Sequence, residues 1–283
     1  MIVVVGSRGM LGQDLLSMLG ERAVGLDLPE IDITDMLSIQ QALTPLTPRV
    51  VINCAAFTDV DGCEREIERA MEVNAEGVAY LAMVTAGLGA KLVHLSTDYV
   101  FDGSKRSPYL PDDLQKPLNI YGDSKLAGEL NTDINPDNLV IRTQWLYGHH
   151  GKNFVETIIN AARERGTLSV VNDQTGTPTW TVDLCRGICA LIDADQRGVF
   201  HCVNSGSTTW YGFAEEILRL TGIPCVLTPQ ASADLDRPAK RPTYAVLDTS
   251  SLTAATGYIP EPWQDALARY LAGRENTKEN QHV

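Results

Sequence analysis

Cysteine pairs, clustered positive charge and long apolar runs are all scarce in this sequence. The six cysteines of the 283-residue chain include no Cys-x-x-Cys pair, so neither a disulfide framework nor a common zinc motif is indicated. Cys185 and Cys189 stand one turn apart on a predicted helix, but no histidine or further cysteine completes a ligand set. We therefore predict no metal.

The charge balance argues against nucleic acid as a partner. The formal net charge is −13, and Lys and Arg form no run that would offset it against phosphates. Local positive charge gathers only in DRPAKRPTY (236–244), where an anionic small molecule could bind. Exposed arginines that serve solubility would look the same, so both interpretations stay open.

Apolar runs all fall short of a membrane span, and the chain enters IVVV (2–5) with no basic leader. We expect a cytoplasmic protein without a membrane partner. Hydrophobic residues make up 44% of the chain and charged residues 21%, which is ordinary for a globular protein. A chain of this length can bury a substantial core.

Strand and helix patterns alternate from the first residue. Apolar strand candidates at 2–5, 50–56, 91–97, 138–147 and 198–204 are separated by helical patterns such as 10–19, 64–87, 154–165 and 182–192. This alternation predicts an α/β fold of the Rossmann type, a doubly wound parallel sheet wrapped by helices. A smaller, mainly helical substrate-binding cap is expected beside it.

The predicted division of the chain is discontinuous. We assign 1–148 and 168–204 to a dinucleotide-binding domain, 149–167 and 205–273 to the cap, and 274–283 to a flexible tail. The proline-containing loop 101–118 has no periodicity, which is typical of a functional lid or of a plain surface excursion.

Gly6, Gly9 and Gly12 lie between the first strand and the first helix. Glycines here allow backbone N–H groups to approach a pyrophosphate at the positive end of the helix. Asp27, at the end of the next strand, is placed for the adenosine ribose of NADH, whereas Arg8 could pair with the extra phosphate of NADPH. The sequence therefore predicts a dinucleotide site that takes NADPH or NADH.

Tyr121 stands one helical turn ahead of Lys125 in NIYGDSKLAGEL (119–130). A Tyr-x-x-x-Lys pair by itself occurs often by chance. In a helix it puts a phenol and an ammonium on one face, which suits proton delivery to a substrate.

Several stretches together resemble the extended short-chain dehydrogenase/reductases, and among them the dTDP-4-dehydrorhamnose reductases. They are GSRGMLG (6–12), NCAAFTDVDGCE (53–64), VNA (73–75), STDYVFDG (96–103), YGDSKLAGE (121–129), RTQWLYG (142–148), VVNDQTGTPTW (170–180) and RPTYAVLD (241–248). The resemblance covers the chain to about residue 250, in family order.

This resemblance implies hydride transfer from nicotinamide to the position-4 ketone of dTDP-4-dehydro-L-rhamnose, giving dTDP-L-rhamnose for polysaccharide biosynthesis. Tyr121 would protonate the developing alkoxide, and Thr97 would hydrogen-bond the same oxygen. Lys125 would hold the nicotinamide ribose, and its ammonium would lower the phenol pKa from its usual value of about 10.

The resemblance also carries binding roles, residue by residue. The expected cofactor contacts, including those of the glycine turn, are Gly6, Arg8, Gly9, Met10, Leu11, Gly12, Asp27, Asp32, Ile33, Ala55, Ala56, Phe57, Thr58, Tyr121 and Lys125. The expected substrate contacts are Thr97, Asp98, Trp145, Arg237 and Arg241. Asp14 matches one position of a magnesium-linked dimer described in some family members, but we carry over neither the metal nor the dimer. A homodimer stays an open possibility.

Two alternatives remain. A nucleotide-sugar epimerase on the same fold would keep NAD bound, whereas a dehydratase would show Thr-Asp-Glu, and this chain has Thr97-Asp98-Tyr99. A non-catalytic regulatory subunit, like that of methionine adenosyltransferase, would also resemble these reductases. It would give no reason to retain Thr97, Tyr121 and Lys125 together.

Overall fold

The structure is a computed structural model that describes residues 1–279, with side chains as far as residue 274. Its strands are β1 (Ile2–Val5), β2 (Ala23–Leu26), β3 (Val50–Asn53), β4 (Lys91–Thr97), β5 (Leu139–Thr143), β6 (Leu146–Tyr147), β7 (Thr167–Val171), β8 (Thr175–Gly176), β9 (Thr179–Trp180), β10 (Gly198–His201), β11 (Thr208–Thr209) and β12 (Val226–Gln230). Its α-helices are α1 (Met10–Leu19), α2 (Met36–Leu43), α3 (Val60–Cys63), α4 (Ile67–Met71), α5 (Gly77–Gly87), α6 (Ile120–Asn131), α7 (Phe154–Arg165), α8 (Thr181–Asp193), α9 (Trp210–Thr221), α10 (Ser250–Thr256) and α11 (Trp263–Glu279).

Six parallel strands form the central sheet in the order β10-β5-β4-β3-β1-β2. The chain first moves from β1 to β2 on one side and then crosses to β3 on the other. This reversal makes a topological switch point between β1 and β3, and ligands of such sheets bind outside the carboxyl ends of the strands at that point. The predicted doubly wound α/β fold is confirmed.

Helices cover both faces of the sheet, as the apolar strands require. Every residue of β1, β3 and β5 is buried. One face packs against α1, α8 and α10 through residues such as Leu15 and Ile188. The other packs against α2 and α5 through Ile39 and Leu81. Burial on both faces explains why these strands read as continuous apolar runs.

A second core lies in the cap, where α7, α9 and α11 pack together around Phe213 and Trp263. Strand β7 pairs in parallel with β12, outside the central sheet. Residues 168–171, which we assigned to the dinucleotide-binding domain, thus pair with a cap strand. The division of the chain into domains stays a prediction, and this pairing favours moving that boundary beyond β7.

The predicted tail, 274–283, begins inside α11, which runs through Glu279. Its last residues, 280–283, lie outside the described part of the chain. Within residues 1–279 no helix combines the length and apolar character needed to cross a membrane.

The helical pattern at 64–87 is interrupted. Between α4 and α5 the backbone widens into a π-helical turn at Glu72–Glu76. The side chain of Asn74 in this turn accepts from the N–H of Phe57 at 2.8 Å and donates to the Ser124 hydroxyl at 3.0 Å. The irregular turn therefore ties the strand-end loop after β3 to α6, which agrees with the frequent placement of π turns near functional sites.

The loop 101–118 is anchored to the rest of the protein. Phe101 stacks on the buried ring of Tyr109 at 4.2 Å between ring centroids. Tyr109 also forms backbone hydrogen bonds with Val246 and Asp248, each at 2.8 Å. These contacts favour the surface excursion over the lid.

Candidate active site

Two adjoining cavities of about 530 and 450 Å³ open at the carboxyl end of the sheet, next to the switch point. They share Gly6, Gly9, Cys54 and Ala56, which follow β1 and β3. We call the larger one the catalytic cavity, because it contains Thr97, Tyr121 and Lys125, and the smaller one the adenosine cavity, because it contains Asp27.

The glycine turn forms the wall between the cavities. Gly6 has a φ of +75°, a conformation that costs glycine little and other residues much. A Cβ at Gly12 would overlap the carbonyl oxygen of Gly6, so only glycine lets α1 approach the turn this closely. Gly9 is the N-cap residue of α1, whose unpaired N–H groups and dipole favour an anion there. The predicted pyrophosphate group fits this cradle.

Asp27 and Arg8 meet at the rim of the adenosine cavity. The Asp27 carboxylate accepts from the backbone N–H groups of Arg8 and Leu28, each at 2.8 Å. The Arg8 guanidinium donates to Glu30 at 2.6 Å and to the carbonyl of Leu28. The side chains of Arg8 and Glu30 are 60% and 48% exposed. Backbone hydrogen bonds of the turn therefore fix the carboxylate of Asp27, which is predicted to bind the ribose. The guanidinium of Arg8 is held only by an exposed ion pair with Glu30.

Tyr121 lies in the first turn of α6. Asn119 caps this helix by accepting from the N–H of Gly122 at 2.8 Å. A Cβ at Gly122 would overlap the carbonyl oxygen of Tyr99, so glycine allows α6 to press against the segment that follows β4. Tyr121 consequently comes within hydrogen-bonding reach of Thr97 at the end of β4. The phenol and the threonine hydroxyl line the same cavity as the glycine turn.

Burial and the neighbouring Asp98 carboxylate raise the pKa of Tyr121, while the hydrogen bond with Thr97 opposes that rise. The phenol is thus protonated over the whole physiological range, as a proton donor must be before the reaction.

Lys125, one turn further along α6, is 2% exposed. Its Nζ donates to the carbonyl of Leu95 at 2.6 Å and lies 3.3 Å from Nε2 of His94. Burial lowers the Lys125 pKa to about 8. The amine therefore has partners other than Tyr121 in this structure, and its predicted effect on the phenol stays a prediction.

Asp98 lies beside Thr97 and is 2% exposed. Its Oδ1 accepts from the Thr97 hydroxyl at 3.0 Å. Among the described residues no group hydrogen-bonds its Oδ2, so one carboxyl oxygen remains buried and unsatisfied. Burial raises the Asp98 pKa to about 7. A carboxyl group in this state is suited to accept or donate a hydrogen bond to a sugar hydroxyl.

Trp145 has an unusual backbone for a bulky residue, with a φ of +49°. Its indole stacks on that of Trp210, the first residue of α9, with 3.7 Å between ring centroids. A Cβ at Gly176 would lie 2.7 Å from the same indole, so glycine makes room for it. Trp145 thus joins the catalytic cavity to the cap, and strain of this kind is often found at functional sites.

The two arginines predicted for the substrate differ in position. Arg241 lines a small side cavity with Asp98 and Trp145. Its guanidinium donates hydrogen bonds to both carboxylate oxygens of Asp61, at 3.1 and 2.7 Å. Arg237 is exposed, and among residues 1–279 it does not line the catalytic, adenosine or side cavity. The structure therefore brings Arg241, but not Arg237, to the site.

The family model described as RmlD substrate binding domain matches residues 1–275. The chain belongs to this family.

Several proteins similar to this chain are named as reductases of dTDP-linked keto-sugars. The chain is 42% identical over 276 residues to dTDP-4-dehydrorhamnose reductase of Streptomyces griseus, covering 94% of this chain and 91% of the relative. It is 40% identical to dTDP-4-keto-6-deoxy-D-glucose reductase of Streptomyces niveus, covering 94% and 95% of the two chains. The crystal structure of dTDP-4-dehydrorhamnose reductase from Bacillus anthracis in complex with NADP superposes with a TM-score of 0.93 at 35% identity, covering 96% and 98%. The predicted resemblance is confirmed.

The structure places all predicted cofactor contacts of this family member along the two cavities. The catalytic cavity is lined by Gly6, Gly9, Met10, Leu11, Gly12, Ala56, Thr58, Tyr121 and Lys125, and the adenosine cavity by Arg8, Asp27, Asp32, Ile33, Ala55 and Phe57. Their binding roles stay predictions.

Other lining residues escaped the sequence analysis. They include Cys54, Arg69, Ser96, Tyr99 and Gln144. Tyr99 and Gln144 adjoin predicted positions in STDYVFDG and RTQWLYG, and that adjacency could have found them. Arg69 lies on α4, between the motifs 53–64 and 73–75 but in neither, and only the fold brings it to the adenosine cavity.

Proposed function

We propose that this protein reduces the position-4 ketone of dTDP-4-dehydro-L-rhamnose to dTDP-L-rhamnose, with NADPH or NADH as the hydride donor. One observation carries the proposal: a half-buried, protonated Tyr121 within reach of Thr97 lies in the same cavity as the phosphate-binding glycine turn. The names of the Streptomyces griseus and Bacillus anthracis relatives support the same reaction.

The residues divide the work as follows. When the cofactor is bound, it supplies the hydride. Tyr121 then gives its proton to the oxygen that becomes negative, and Thr97 hydrogen-bonds that oxygen. Lys125 holds the nicotinamide ribose.

Asp27 and Arg8 both face the adenosine cavity, which supports use of either reduced cofactor. Asp27 suits the free ribose hydroxyls of NADH, and Arg8 suits the added phosphate of NADPH. We expect the two dissociation constants to differ by less than about a hundredfold. A larger difference in a calorimetric titration would contradict dual use.

The substrate lies between the sheet and the cap in this proposal. Asp98, Trp145 and Arg241 supply contacts from the catalytic cavity and its side cavity. Arg237 is exposed and remains a further candidate contact for the diphosphate. The cap (149–167 and 205–273) contributes Arg241, Pro242 and Ala245 to the side cavity, which supports a place for the nucleotide against the cap. A dTDP-linked sugar is the class that the relatives' names indicate.

A second candidate substrate is a dTDP-4-keto-6-deoxy sugar of the D series. The Streptomyces niveus relative, named for a reductase of that sugar, is nearly as similar to this chain as the Streptomyces griseus one. Both candidates require the same proton donor and differ only in sugar stereochemistry.

The test is to mix the purified protein with each keto-sugar and NADPH and to follow consumption of the reduced cofactor. Turnover of the L sugar at a higher kcat/KM supports the proposal, and preference for the D sugar favours the second candidate. Binding without turnover would indicate the non-catalytic alternative. Stoichiometric NAD on the purified protein would indicate an epimerase.

A further inference from the structure

Asn53, His94 and Lys125 form a continuous buried line beneath the catalytic cavity. Asn53 and His94 are fully buried, and Lys125 is 2% exposed. The Nδ2 of Asn53 lies 3.3 Å from Nδ1 of His94, and Nε2 of His94 lies 3.3 Å from Nζ of Lys125. The proposed reaction assigns no role to Asn53 or His94.

The orientation of the Asn53 amide is set by the backbone. Its Oδ1 accepts from the N–H of Ala55 at 3.1 Å, so its nitrogen must face His94. An amide nitrogen donates and does not accept. Nδ1 of His94 therefore carries the lone pair, and the single proton of the neutral ring lies on Nε2.

That proton points at Lys125. An ammonium has only N–H donors, so it would face the Nε2–H of His94 donor to donor. A neutral amine can accept this hydrogen bond and still donate to the carbonyl of Leu95, 2.6 Å away. We propose that His94, oriented by Asn53, is a positioning residue that favours the neutral amine of Lys125 over its ammonium in the cofactor-free protein.

The other ionisable groups around Lys125 agree with this assignment. Burial raises the pKa of the Cys54 thiol to about 12, so the thiol is uncharged. Glu129 is engaged by the Arg142 guanidinium, at 2.9 and 2.7 Å, and by the Ser96 hydroxyl. Its negative charge favours an ammonium at Lys125, but Arg142 balances part of that charge and the burial of Lys125 outweighs it. Burial lowers the pKa of His94 well below its ordinary value, which keeps the ring neutral.

The consequence for activity rests on the proposed function. If the reaction needs the Lys125 ammonium, the contact with His94 works against it, and the hydrogen bond to His94 must reverse whenever the amine takes up a proton. The Lys125 pKa of about 8 then places the loss of activity on the alkaline side, because the amine is neutral above that pH.

The direct test is ¹⁵N NMR of the cofactor-free protein labelled at histidine. The chain has five histidines, and the His94→Gln variant identifies the His94 signals by their loss. At about pH 9, where the neutral amine of Lys125 predominates over its ammonium, we expect Nδ1 of His94 to resonate as an unprotonated nitrogen and Nε2 as a protonated one. The opposite pattern, or an imidazolium at neutral pH, would overturn the proposal whatever any variant does.

Asn53→Asp tests the cause. One carboxylate oxygen can still accept from Ala55, but the other presents an acceptor to Nδ1 of His94, so the ring proton should move to Nδ1. Asn138→Asp is the matched control, because Asn138 is a buried amide whose oxygen accepts from the N–H of Leu92 elsewhere in the sheet. An unchanged His94 pattern in a folded Asn53→Asp protein would also overturn the proposal.

The pH profile of kcat/KM separates this proposal from the proposed function. Asn53→Asp should move the alkaline loss of activity upward by about one pH unit or more, since Nε2 then accepts from an ammonium. The NMR pattern needs no turnover. A protein that shows the expected tautomer but reduces neither keto-sugar would refute the function and leave the tautomer assignment standing.

Discussion

The catalytic and adenosine cavities share four residues but hold their charged groups in opposite ways. In the catalytic cavity Asp98 and Lys125 are each 2% exposed, and burial is the main cause that moves their pKa values to about 7 and about 8. In the adenosine cavity Arg8 and Glu30 are 60% and 48% exposed and paired at 2.6 Å. Water screens the second pair and leaves the first groups unscreened.

This difference separates the place proposed for the chemical step from the place proposed for cofactor selection. Chemistry is placed where the loss of water makes a proton's position sensitive to one hydrogen bond. The residues that we predict to govern cofactor choice lie at a rim, where an exposed ion pair contributes at most about 1 kcal/mol. Variants in the catalytic cavity should therefore have large effects that salt does not alter, whereas variants at the rim should have small, salt-sensitive effects.

The largest effect is expected for Tyr121→Phe. Removing the proton donor should lower kcat by roughly a hundredfold or more with little change in cofactor binding. The measurement is steady-state turnover together with calorimetric cofactor titration. Tyr80→Phe makes the same chemical change on α5, at a partly buried ring that packs against the core, and should keep full activity. Wild-type turnover by Tyr121→Phe would remove this residue from the mechanism.

Thr97→Val should lower kcat by about tenfold, because the substrate oxygen loses one hydrogen bond but keeps the acid. The same change frees Asp98 from its partner at 3.0 Å, so the pH profile should shift as well as fall. Thr85→Val, at a hydroxyl bonded within α5, provides the comparison. An unaltered kcat and pH profile would place Thr97 outside the reaction.

Asp98→Asn should stabilise the protein at neutral pH by about 1–3 kcal/mol, since a buried and half-satisfied carboxylate is replaced by an amide. The Asp98 pKa is raised to about 7, so the wild type is favoured at acidic pH and loses stability as pH rises to 7. The difference between variant and wild type in urea unfolding should therefore grow from about pH 4 to 7.

Asp112→Asn, on the exposed part of the loop 101–118, should change stability little across the same range. An Asp98→Asn effect that is equal at pH 4 and 7 would contradict the raised pKa.

Arg8→Gln should have the smallest effect, a tenfold or lower loss of NADPH affinity with NADH affinity retained. The guanidinium of Arg8 already donates a hydrogen bond to Glu30, so a bound phosphate would replace one exposed partner of Arg8 by another. Titrations at low and high salt should show the loss shrinking as salt rises. Arg22→Gln, on an exposed turn, is the control. A hundredfold loss that is independent of salt would show that the rim behaves like the catalytic cavity.

Much of this molecule could be predicted because its signals are local. The spacing of Gly6, Gly9 and Gly12 indicates a phosphate turn wherever a strand meets a helix, and Tyr121 and Lys125 share a helix face by geometry alone. Apolar runs buried on both faces predict a parallel sheet, and the sheet is parallel. Thr97 is predicted from the family resemblance, because it lies in the motif STDYVFDG (96–103).

Other features depend on residues that are distant in the chain. Arg241 is engaged by Asp61, β7 pairs with β12, and Trp145 stacks on Trp210. Hydrophobic periodicity carries no information about such partners, because each choice is made by packing between elements already formed.

The sequence by itself determined which residues could do the chemistry: a glycine turn, a phenol, an amine and a strand-end hydroxyl. Only the tertiary structure decided their protonation, because burial and the partner that each hydrogen bond finds set the cost of a charge. Lys125 illustrates both, since its place on the face of α6 that carries Tyr121 follows from four residues of spacing, while its hydrogen-bond partners, His94 and Leu95, come from β4.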